Sequence, residues 1–107
     1  MIGLGTLGRP LYSNRHYKVY VAHNGFIVLN ARKPFKFGHT HIAKFSTAKY
    51  LTKLAYSRIV PKHLSRYLII SLIRISDNKE YRDKLREVLE KEYSNGETIA
   101  EIQSSPQ

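Results

Sequence analysis

The tetrapeptide Gly38-His39-Thr40-His41 is where side chains able to do acid–base or metal chemistry lie closest together. In an extended strand, residues two apart project from one face, so His39 and His41 would stand side by side. Two imidazoles and a lysine can cleave RNA without a metal, one imidazole acting as base and the other as acid. Lys36 would complete that trio. A zinc site wants a third or fourth ligand, and the chain has no cysteine. Only His16, His23 and His63 remain as further ligands within the first 76 residues. The expectation is that no metal or other cofactor is held. Other catalytic templates fit poorly. Two-metal nuclease chemistry needs clustered carboxylates, which this chain carries only on a late, mixed-charge helix. No serine sits in a Gly-x-Ser-x-Gly elbow. The letters from Gly3 to Gly8 match GxGxxG, but only two residues precede them and Pro10 follows. A dinucleotide fingerprint needs a strand before it and a helix after it.

A stronger pattern is electrostatic. The first 76 residues contain thirteen basic residues and no acidic one, for a net charge of +13. The remaining 31 hold five basic and eight acidic residues, a net −3, and the whole chain carries +10. Such segregation attracts polyanions and points first to nucleic acid, RNA or DNA. An acidic protein surface is the second partner class. Within the basic part, Arg32, Lys33, Lys36, Lys44, Lys49 and Lys53 are the candidates for neutralising phosphates. Phe35 and Tyr56 are the candidates for stacking on bases or sugars, with Phe37 and Tyr50 as further aromatics. Contact with about five phosphates would give a salt slope of roughly −4 to −5 in log K against log salt. The competing reading places Phe35 and Phe37 in the core and leaves the lysines as a solvated surface.

The length of 107 residues fits one domain, residues 1–107. Absence of cysteine suits a reducing cytoplasm. No apolar stretch reaches the length of a membrane-spanning helix, so no membrane association is expected. The N-terminus lacks a charged start followed by an apolar run, so no secretory signal is expected.

The elements that must position these residues read as an α+β fold. Residues 17–30 form a β-hairpin, with two apolar, β-branched runs flanking Asn24-Gly25. Asn-Gly favours a type I′ turn, and a two-residue turn there would set Val21 opposite Val28. Both faces of that hairpin are apolar and need cover. A short strand is possible at 35–37 or 41–43. Three helices follow, at about 47–58, 62–75 and 78–93. Ser46 is the expected cap of the first, whose outward face is Lys49, Thr52, Lys53 and Tyr56. Pro61 suits the first turn of the second, an apolar helix showing water only the stripe Lys62, Arg66 and Arg74. A helix so apolar is a poor recognition helix for a helix-turn-helix and a possible homodimer surface. Asp77 and Glu80 read as a capping box for the third helix, which ends at Asn95-Gly96. Residues 1–16 and 97–107 look loosely ordered.

Together these features predict a small, basic, non-enzymatic nucleic-acid-binding protein of accessory or regulatory type. The alternative is a protein-interaction regulator of phage or bacterial type that docks on an acidic partner. A histidine-dependent ribonuclease is the third reading.

Overall fold

β-branched and aromatic residues crowd the first forty positions, and there the chain builds its sheet. The computed structural model describes residues 8–93. The fold is α+β: four antiparallel strands followed by three helices. The strands are β1 (Tyr12–Asn14), β2 (Tyr17–Ala22), β3 (Gly25–Asn30) and β4 (His39–Ile42), adjacent in chain order. The helices are α1 (Phe45–Ser57), α2 (Arg66–Ile75) and α3 (Lys79–Tyr93).

The expected hairpin is present as β2 and β3, inside a larger meander. Its register differs from expectation. Ala22 pairs with Gly25, and Val19 rather than Val21 lies opposite Val28. The turn is therefore His23-Asn24, and neither has positive φ. Gly25, the first residue of β3, takes the positive φ, at 137°, and meets a second need as well. A Cβ on it would sit 2.8 Å from the carbonyl oxygen of Ile42, so only glycine lets β4 pass. Tyr12–Asn14 is not loose chain but pairs with β2. Residues 1–7, which include most of the GxGxxG letters, lie outside the described residues, as do 97–107 and the expected stop at Asn95-Gly96.

Both sheet faces are covered, as two apolar faces require. On one face Tyr17, Val19, Val28 and Ile42 pack with Leu51, Leu54, Ile69, Leu72, Ile75, Tyr81 and Leu85 from the helices. On the other, Ala22 and Phe35 pack against Tyr20, Ile27 and Leu29. Removing such apolar area from water supplies most of the drive to fold.

Helix boundaries follow their caps. Ser46 does not cap α1. Lys44 holds the N-cap place without a side-chain bond. Arg58, at φ 55 and ψ 46, ends the helix. Thr52 faces inward, its hydroxyl donating to the Lys49 carbonyl at 2.7 Å. Ser65 caps α2 by accepting from the Leu68 N–H at 3.2 Å, so this helix begins after Pro61 rather than at it. Asn78, not Asp77, caps α3, its Oδ1 accepting from the Tyr81 N–H at 2.8 Å. The expected exposed stripe on α2 is also wider, because Tyr67 is 54% exposed and Ile70 38%. Among the described residues, no helix is long and apolar enough to cross a membrane.

The C-terminus of α2 gathers polar groups from across the fold. Asn30 Nδ2 donates to the Ile75 carbonyl at 2.9 Å. Lys33 Nζ donates to the carbonyls of Arg74 and Ser76, and Arg82 donates to Ser76 as well. Cations belong there, where unsatisfied carbonyls carry the negative end of the helix dipole. At the free edge of β4, Arg74 donates to the His39 carbonyl and Tyr67 to that of His41, and Arg74 also donates to the Lys36 carbonyl in the preceding connection. The edge bonds occupy backbone acceptors that an unprotected edge would offer to another chain.

Candidate nucleic-acid interface

The outward side chains of α1 follow helical spacing. Lys49, Lys53 and Tyr56 are all exposed and lie four and three residues apart, so they share one face. The helix packs over β1, which brings further groups into line. Lys49 Nζ lies 5.2 Å from the ring centroid of Tyr12 and 5.5 Å from that of Phe45. At the other end, the Arg15 guanidinium lies 5.7 Å from the Tyr56 ring centroid. Cations alternate here with aromatic rings along about 10 Å of helix, from Lys49 to Tyr56.

This track runs into a cleft of about 440 Å³ at the C-terminal end of α1. Arg15, Arg32 and Arg58 line it with His16, Tyr56 and Asp77. Among the described residues Asp77 holds the only carboxylate of that lining, and His16 Nε2 lies 3.2 Å from its Oδ2. The pair has the distance of an ion pair without the alignment of a hydrogen bond. Burial pulls the His16 pKa below its ordinary 6.5, with Arg32 and Lys18 acting the same way, and Asp77 opposes them without prevailing.

The sign of the resulting pH effect is fixed. A histidine with a lowered folded pKa binds fewer protons folded than unfolded. Its contribution to stability is complete above about 6.5 and is lost as pH falls through 6.5 toward the lowered value. Urea unfolding at pH 7.5 and pH 5.5 should show a loss on acidification that His16→Gln reduces.

The eight residues singled out from the sequence do not form one site. Lys49, Lys53 and Tyr56 lie on the track, and Arg32 lines the cleft beyond it. Lys33 is committed to the α2 carbonyls, and burial, with Arg82 nearby, lowers its pKa. Phe35 stacks on His39 at 4.0 Å, on the opposite face of the sheet from the helices. Lys36 Nζ lies 5.8 Å from the Phe37 ring centroid. Lys44 sits at the N-terminal end of α1. Sequence reasoning missed Tyr12, Arg15, His16, Phe45 and Arg58. Their positions carry no linear motif, because strand, turn and helix end meet only in the fold.

The histidine pair does share a face of β4, with ring centroids 5.2 Å apart. His39 Nδ1 lies 2.6 Å from the Phe35 carbonyl oxygen. A carbonyl only accepts, so Nδ1 carries the proton and Nε2 is the basic nitrogen. Among the described residues, no three His, Cys, Asp or Glu side chains are grouped to hold a metal.

By fold, then, this is an α+β protein whose antiparallel meander carries α1 and α2 on one face, with α3 packed on α2, and a cationic, aromatic track along its first helix. No protein-family model, no curated protein and no solved structure matches the chain.

Proposed function

We propose that this chain is a small, non-enzymatic nucleic-acid-binding protein, accessory or regulatory in role, that holds the phosphate backbone along the α1–β1 track. One observation carries the reading: Lys49 sits against Tyr12 and Phe45, and Arg15 against Tyr56, on one line of the surface. Alternating cations and rings suit a strand of alternating phosphates and bases. α3 mixes Glu80, Asp83, Glu87, Glu90 and Glu92 with five basic residues, so it is net neutral and offers a polyanion no comparable cationic face.

Fluorescence anisotropy with labelled duplex DNA, single-stranded DNA and structured RNA tests this at several salt concentrations. Four contacts, from Lys49, Lys53, Arg15 and Arg58, predict a slope of roughly −3 to −4 in log K against log salt. Flat salt dependence, or weak binding to all three at near-physiological salt, would reject the reading and favour an acidic protein partner. The same samples address the ribonuclease alternative. Cleavage abolished by His41→Ala would establish it, and intact RNA after incubation with the wild-type protein would dismiss it.

A further inference from the structure

Two arginines at the end of the track occupy backbone conformations that arginine disfavours. Arg15 has φ 60 in the turn between β1 and β2, and Arg58 has φ 55 at the end of α1. Both are places where glycine fits without strain and a side chain does not. Among the described residues they are the only non-glycine residues with positive φ, and both line the same cleft. Backbone strain of this kind gathers at ligand sites. Arg32 adds a third guanidinium from the β3–β4 connection.

We propose that this cleft binds the phosphomonoester of a nucleotide, either as the terminal phosphate of a nucleic-acid strand or as a free nucleoside monophosphate. Among the described residues, three guanidiniums against the single Asp77 carboxylate leave a local charge of +2 with His16 neutral. A phosphomonoester carries about −1.5 to −2 at neutral pH, whereas a mid-strand diester carries one charge. The charge balance therefore favours an end over an interior phosphate. Planar guanidiniums hold phosphate oxygens in bidentate pairs. A volume of about 440 Å³ exceeds the need of a lone phosphate and falls in the range of small-ligand sites. The partly exposed ring of Tyr56 forms one wall, where a base or sugar can rest. Asp77 opposes the anion and lies beside His16. A bound dianion would favour the protonated form of His16, whose Nε2 is buried and lacks an aligned hydrogen-bond partner.

This inference rests on the nucleic-acid reading of the track and specifies which part of a strand the cleft takes. The test uses one single-stranded sequence in three forms: 5′-phosphorylated, 3′-phosphorylated, and hydroxyl at both ends. Each is titrated by anisotropy into the wild-type protein and into Arg15→Gly, Arg58→Gly and Arg32→Ala. Adenosine monophosphate and inorganic phosphate are titrated separately, followed by amide resonances. One phosphorylated form should bind at least about fivefold tighter than the hydroxyl form, and each variant should lose that advantage. Glycine takes the left-handed backbone at 15 and 58, so these two variants should melt no lower than wild type. Arg32→Ala leaves both turns untouched and covers the case in which either glycine variant fails to fold. Adenosine monophosphate should shift the amides of Arg15, His16 and Arg58 more strongly than inorganic phosphate does.

Equal affinity for all three oligonucleotides would overturn the cleft assignment and leave the track reading standing. A phosphate preference that survives all three substitutions would overturn it too. Amide shifts with the mononucleotide but no oligonucleotide binding would support the cleft, identify a free nucleotide as its source and reject the track. No response to any of these ligands would overturn both.

Discussion

Replacing Lys49 and Lys53 by glutamate should weaken nucleic-acid binding by roughly ten- to a hundredfold at near-physiological salt, because two attractive phosphate contacts become two repulsive ones. Both side chains are exposed on α1, and neither donates a hydrogen bond to the rest of the chain among the described residues. Lys53→Glu is a plain surface change worth about 0.5 kcal/mol or less, and Lys49→Glu gives up the cation–ring contacts with Tyr12 and Phe45, each worth about 0.5–1 kcal/mol at an exposed site. The melting temperature should therefore fall by no more than several degrees while the affinity falls far more. The salt slope should also flatten, by about 2 units if both contacts are lost. Anisotropy at three salt concentrations, with a thermal melt of each protein, reads all of this. As a control, reversing Lys62, which lies between α1 and α2, should change the affinity far less. A loss as large from Lys62→Glu as from the α1 pair would mean that net charge rather than the track drives binding.

Asn30→Ala should destabilise the fold by about 2–4 kcal/mol while leaving the surface charge unchanged. Asn30 is 1% exposed. Its Nδ2 donates to the Ile75 carbonyl at 2.9 Å, and its Oδ1 accepts from the Arg32 N–H at 2.8 Å. Truncation leaves a buried carbonyl and a partly buried N–H without partners, and each such group costs about 1–3 kcal/mol. For a domain of this size the melting temperature should fall by on the order of 10 °C. Asn30→Asp should be worse still, since it sets a carboxylate oxygen against the Ile75 carbonyl. Because Asn30 also fixes the start of the connection that delivers Arg32 and Lys33, its loss should loosen that side of the cleft. Chemical denaturation with a linear fit gives the first quantity. An Asn30→Ala protein as stable as wild type would contradict this account of how the sheet is tied to α2.

Much of the fold was legible in the sequence because its signals are local. Tyr17–Ala22 and Gly25–Asn30 are apolar runs that crowd β-branched and aromatic residues around a turn dipeptide, and they form a hairpin. Leu51, Leu54 and Ala55 keep helical spacing and are buried. The misplacements have equally specific causes. Asn-Gly marks a turn, but the register pairs Ala22 with Gly25, so the turn is His23-Asn24 and Gly25 opens β3 where the Ile42 carbonyl passes close. Pro61 fits a helix start, but Ser65 offered a hydroxyl to Leu68 and α2 began there. Asp77 and Asn78 are both good caps, and Asn78 took α3 while Asp77 lies beside His16. Tyr12–Asn14 is too short to show a period and exists as a strand through its pairing with β2.

The candidate site was legible only in part. Lys49, Lys53 and Tyr56 share a helical face and could be grouped from spacing alone. Lys33 carried the same signal of exposed positive charge, yet tertiary contact made it a helix-terminus donor. Arg15 and Arg58 are 43 positions apart, and nothing in an arginine foretells a left-handed backbone. Their meeting in one cleft depends on β1 lying under α1, which is a property of the assembled fold.

The central claim is that nucleic acid lies along α1 and β1. Amide chemical-shift mapping during titration with a short single-stranded oligonucleotide tests it most directly. The largest shifts should fall at Tyr12, Arg15, Lys49, Lys53, Tyr56 and Arg58, while α3 stays silent. Shifts concentrated on α2 and the β4 edge, around Tyr67, Ile70 and His41, would contradict it, as would a spectrum that does not change.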